Sequence, residues 1–134
     1  MRAGRCCIFS AVVLLAVSLA PFAPAFAFDD NDFCVAAKQL AVAAEKDVGI
    51  WVDRVTRSAG MIVSCDKKVV EYRRFTYTPT AAMDGAWKER KAAEWNGTHC
   101  TSLLWSQAIR NEWKVALSLT AADGGHVLLN AQCK

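Results

Sequence analysis

The chain has 134 residues, of which 54% are hydrophobic, and carries 16 Lys and Arg against 13 Asp and Glu, a formal charge of +3. This length holds one domain with a modest core. So small a charge, spread along the chain, excludes the broad positive field by which proteins hold nucleic acid.

Arg2 and Arg5 open the chain, and Ile8 to Ala20 is apolar apart from Ser10 and Ser18. Pro21 and Pro24 break the run, and Ala25-Phe26-Ala27 places small residues three and one before a cut. The pattern predicts a secretory signal peptide over residues 1–27, cleaved after Ala27, and a single domain over 28–134. The alternative, a retained membrane anchor, needs about 18 or more apolar residues, and this run is shorter. No later segment is apolar for long enough to span a membrane. Cleavage removes two arginines, leaving a net charge of about +1. It also removes Cys6 and Cys7, leaving Cys34, Cys65, Cys100 and Cys133.

Asp29, Asp30 and Asp32 supply capping oxygens and negative charge for a helix start. Phe33, Ala36, Ala37, Leu40, Ala44 and Val48 then recur at helical spacing, and Lys46 and Gly49 mark the stop. Ile50 to Cys65 reads as a strand, Asp66-Lys67 as a turn, and Lys68 to Thr78, rich in β-branched and aromatic residues, as a second strand. With residue 63 facing 70 and 61 facing 72, Met61, Val63, Val70 and Tyr72 share a core side. An unbroken ladder would bring Arg57 and Arg74 to that side as well, so a β-bulge is predicted at Gly60.

Pro79 ends the strand, and Thr80 is expected to cap a helix through Trp95, with Met83, Ala86, Trp87 and Arg90 on one stripe and a break at Asn96-Gly97. Lys88 to Lys91 reads as a solvated face. A short helix follows, capped by Thr101 or Ser102 and carrying Leu104, Trp105, Ala108 and Ile109. Trp113, Val115, Leu117 and Leu119 then alternate with polar or small residues. After Ala121–Gly125, Val127, Leu129, Ala131 and Cys133 do the same, which reads as a hairpin. The order α-ββ-α(α)-ββ predicts an α+β domain: a four-stranded antiparallel sheet of two hairpins, with helices packed on one face.

Four cysteines in a small exported domain read as two disulfides. Zinc is the rival, but its ligands come in close pairs, whereas here the gaps are 31, 35 and 33 residues. The topology favours Cys34–Cys65 and Cys100–Cys133, each within one half. "VDRVTR" (Val52 to Arg57), followed by an extended run and a "C…DG…C" ending, resembles small exported proteobacterial proteins of uncharacterised function. Such proteins often have a glycine before the penultimate strand, where this chain has Asn111-Glu112. The resemblance implies a periplasmic or secreted α+β domain and supplies no catalytic residues.

No Gly-x-Ser-x-Gly, His-Glu-x-x-His, phosphate loop or metal loop is present. His99-Cys100 suggests a thiol nucleophile, but Cys100 belongs to an even set. His126 stands alone, facing outward on the last strand. Asp53 with Glu71 is the one carboxylate pair weighed for glycoside cleavage. Asn96-Gly97-Thr98 fits a glycosylation acceptor. Trp87, Trp105 and Trp113 lie on apolar stripes and read as core, whereas Trp51 and Trp95 lie near element ends and read as exposed. Arg54, Arg57, Arg73 and Arg74 gather on the first hairpin, either as a charged edge that blocks strand addition or as a contact surface for an acidic partner. The leading expectation is a non-enzymatic binding domain, with no cofactor or metal. Its contacts would be Arg54, Arg57, Arg73, Arg74, Trp51 and Trp95, and its partner a protein or an anionic envelope polymer. The alternatives are an inhibitor of a secreted hydrolase and a small enzyme acting on envelope polymers.

Overall fold

The structure is a computed structural model that describes residues 27–134. The expected signal peptide lies outside these residues, apart from Ala27. Helix α1 (Asp30–Glu45) starts where the acids predict: Asp29 is the N-cap, and its carboxylate accepts from the backbone N–H of Asn31 and Asp32. Its apolar stripe is narrower than expected. Phe33 and Ala37 are buried, while Leu40 and, beyond the helix, Val48 are exposed.

Strands β1 (Thr56–Ser64) and β2 (Val69–Thr76) form the first hairpin. Val63 faces Val70 and Met61 faces Tyr72, then the register shifts between Ser58 and Met61, with Gly60 at φ +92°. Glycine takes this backbone conformation without a Cβ clash. The bulge turns Arg57 off the helical side and onto the open face of the sheet, opposite Phe75. Arg74 belongs to the partner strand and stays on the helical side.

The first strand is shorter than expected. Residues 49–52 do not extend it but fold back beside its start, where the Gly49 N–H donates to Ser58 and the Ser58 N–H to Ile50.

After a 3-10 turn (Thr80–Ala82) come α2 (Gly85–Cys100), α3 (Leu103–Arg110), and the second hairpin, β3 (Lys114–Ala121) with β4 (His126–Asn130). The expected helix from Thr80 to Trp95 is thus displaced. Asp84 is its cap, accepting from the Trp87 N–H, while Thr80 donates its N–H to the Asp123 carboxylate. Asn96-Gly97 does not break α2, because the next turn buries His99. The inward stripe is Trp87, Lys91, Trp95 and His99, and Ala86 and Arg90 are exposed. Ser102 precedes α3, whose Ala108 is fully buried while Leu104 is exposed.

The sheet order is β1-β2-β3-β4. Both hairpins are antiparallel, but β2 pairs with β3 in parallel, so the sheet is mixed rather than antiparallel throughout. The reason is the crossover through α2 and α3. A chain that leaves the end of β2 and returns through helices beside its start must run in the same direction.

The helices cover one face of the sheet. Against it lie two apolar clusters, one around Phe33, Ala37, Met61, Val70, Ala108 and Trp113, the other around Met83, Trp95, Val115, Leu117, Leu119 and Val127. Tyr72 and Trp105 pack against both. Cys34 pairs with Cys65 at a Cα separation of 5.7 Å, and Cys100 with Cys133 at 5.3 Å. Each disulfide ties one helix to its own hairpin.

Candidate functional site

Alternation along β2 distributes the arginines. Val70, Tyr72, Arg74 and Thr76 face the helices, while Glu71, Arg73 and Phe75 face the open side of the sheet. Adjacent arginines therefore lie on opposite faces, and the four basic side chains of this hairpin do not form one patch.

On the helical side, Arg54 and Arg74 line a cleft of about 360 Å³ together with Asp53, Val55, Trp87, Lys91, Leu117 and Leu119. The Arg74 guanidinium carbon lies 5.6 Å from the centre of the Trp95 ring. Burial pulls the Arg74 pKa below its ordinary value, against the opposing pull of the Asp53 charge. Arg74 makes no ion pair among the described residues. Lys91 reaches Glu94 at 2.8 Å, and Glu94 is largely exposed. Three cations thus face this cleft and one carboxylate, Asp53, lines it.

On the open face, Arg73 and Glu71 pair with each other. Arg73 Nε donates to Glu71 at 3.0 Å. Beside them, Ser118 Oγ and His126 Nε2 lie 2.8 Å apart, and all four residues line a second cleft with Phe75 and Thr120. Asp53 and Glu71, weighed as a carboxylate pair, line different clefts on opposite sides of the sheet.

Between the two faces projects the Val48–Val55 loop. Val48, Ile50, Trp51, Val52 and Val55 are each between 43% and 56% exposed, five large apolar side chains within eight residues. Arg57 lies 4.1 Å from the Trp51 ring centre and Tyr77 stacks at 5.7 Å, which holds the indole at the edge of the open face. The Arg57 Nε is buried without a hydrogen-bond acceptor among the described residues.

Trp95 does not belong to this surface. It is 5% exposed, and its indole N–H donates to the Val115 carbonyl at 3.0 Å. Because α2 continues past Asn96-Gly97, Trp95 lies within the helix rather than at its end. Trp113 is buried, and Trp87 and Trp105 pack against the core while partly exposed. Asn96 spends its side-chain oxygen on the Gln132 N–H at 2.8 Å, tying α2 to the last segment. His99 is buried against Trp95, Tyr72 and Trp105 and contacts the Trp95 carbonyl through Nδ1. Burial holds its pKa below the ordinary histidine value. Its neighbour Cys100 is in a disulfide and offers no thiolate.

Sequence reasoning missed Lys91 in the cleft. Lys91 sits midway between Trp87 and Trp95 at spacings of four, so it shares their helical face. That signal emerges only once the helix is extended past Asn96. The Ser118–His126 contact was also missed, because it depends on the register between β3 and β4.

No family model matches the chain, and no curated protein matches it. Among solved structures, it is similar to a crystal structure of a "putative secreted protein" from Pseudomonas aeruginosa, with a TM-score of 0.60 and 8% identity, over 78% of this chain and 92% of that one. At that identity the likeness is one of fold.

Proposed function

We propose that this chain is an exported, non-enzymatic binding domain that takes an acidic partner at the cleft lined by Arg54, Arg74 and Lys91. The observation that carries this is Arg74, a half-buried cation that has no ion pair among the described residues and faces a cleft shared with two further cations. A half-buried charge lowers stability unless something pairs with it. An anionic partner would supply that pair. Export is supported by two disulfides in a small domain, since such bonds persist in oxidising compartments. The N-terminal pattern agrees, as does the description of the similar Pseudomonas protein as secreted. The reading needs no catalytic set, and the disulfide at Cys100 removes the thiol that an enzyme reading would use.

The test is titration with a sulfated polysaccharide such as heparin at two salt concentrations. Wild type binds, and more weakly at high salt. The R54A/K91A variant loses about tenfold in affinity, two surface charge contacts of up to about 1 kcal/mol each. Equal affinity in the two proteins overturns the assignment of this surface.

A further inference from the structure

We infer that the Val48–Val55 loop is a membrane-seating tip, which rests on the acidic-partner reading and names that partner as the anionic surface of a lipid bilayer. Exposed apolar clusters of this density mark contact sites rather than ordinary surface. Here they comprise Val48, Ile50, Trp51, Val52 and Val55, with Tyr77 against the indole. Aliphatic side chains enter the acyl boundary, and Trp and Tyr favour the headgroup level. Around the tip stand Arg54 of the loop, Arg57 on the Trp51 ring and Arg74 beside Ile50 and Val52, against Asp47 and Asp53, an excess of one positive charge. That excess complements anionic headgroups. Asp53 is itself engaged, accepting from the Val55 N–H at 2.8 Å.

The backbone of the loop decides between a bilayer and a peptide. Six of its eight N–H groups, from Val48 to Val55 except Trp51 and Arg54, donate within the protein. Satisfied backbone groups are the condition for entering an apolar phase. A partner that docks by strand addition needs the opposite, free backbone groups at an edge. Residues 49–52 also cover the start of β1, the edge such a partner would use.

The experiment is co-sedimentation of the exported protein with vesicles of phosphatidylglycerol in phosphatidylcholine and with vesicles of phosphatidylcholine alone. The protein is expected to bind the anionic vesicles, with a blue shift of tryptophan emission that W51F diminishes. I50S/V52S replaces two exposed side chains, and after its melting curve has confirmed the fold it lowers vesicle binding about tenfold. V35S/V42S, which removes exposed apolar groups on α1, leaves binding unchanged. Equal binding by wild type and I50S/V52S overturns the inference, and so does a dimer that I50S/V52S dissociates without any vesicle binding. Heparin binding that R54A/K91A weakens, with no vesicle binding by any protein, retains the acidic-partner reading and removes only the membrane. Loss of both removes both.

Discussion

Arg74 is placed by the two-residue period of its strand among side chains that would be better served by an apolar neighbour. Its guanidinium lies over Trp95, and it lines a cleft together with Leu117 and Leu119. Replacing a poorly compensated buried charge with a hydrophobe of similar length is often neutral or stabilising. R74M is therefore expected to leave stability unchanged or raise it by about 1 kcal/mol while weakening heparin binding by about tenfold. Urea unfolding and titration of the same preparation check this; a large loss of stability would show that Arg74 is structural. His99 gives a second residue-scale prediction. Its folded pKa lies below the unfolded value of 6.5, so the unfolded chain binds more protons just below that pH. The associated stability is complete above pH 6.5 and declines as pH falls toward the folded pKa. H99Q removes that decline. The loss at lower pH, as Asp30 and Asp123 protonate, remains, because hydrogen bonds and, for Asp30, Lys68 hold their pKa values below the usual carboxylate value. Melting temperatures across the acid range separate the two.

At the scale of elements, glycines decide where the hairpins bend and what they touch. The Gly60 bulge was legible in the sequence because a straight ladder would have brought Arg57 to the core side. Gly125 was legible only as a turn residue. In the fold, a Cβ there would collide with the Thr80 side chain, which is bound to Asp123 of the same turn. G125A is expected to destabilise the domain by about 2 kcal/mol through overpacking, measured by denaturant unfolding; a change within a few tenths would mean that Thr80 swings aside freely. The second hairpin could be read directly from its alternation. Helix α2 could not, because Asn96-Gly97 carries a local stop signal that burial of Trp95 and His99 overrides. Propensity at two positions amounts to about 1 kcal/mol, less than the burial of one large aromatic.

The whole molecule is two helix-plus-hairpin halves, each with its own disulfide. Cys34–Cys65 and Cys100–Cys133 close loops of 31 and 33 residues and do not cross between the halves. Removing either pair as a double alanine is expected to cost about 3 to 4 kcal/mol. The two losses should add, because the sites share no partner. Denaturant midpoints of the two doubles and the quadruple variant check this, and strong non-additivity would indicate a denatured state structured across the halves. The halves themselves are joined by the parallel β2–β3 ladder and by Tyr72 and Trp105, which touch both clusters.

The order of elements, the α+β class, the bulge and the second hairpin could be read from the residues alone, because each depends on periodicity and on residues close along the chain. The parallel run of β2 and β3, the burial of Trp95, and the parting of Arg73 and Arg74 to opposite faces with Lys91 joining the latter emerge from the fold. These features depend on how the crossover brings distant segments together, and a crossover of helices leaves no local mark on the residues it aligns.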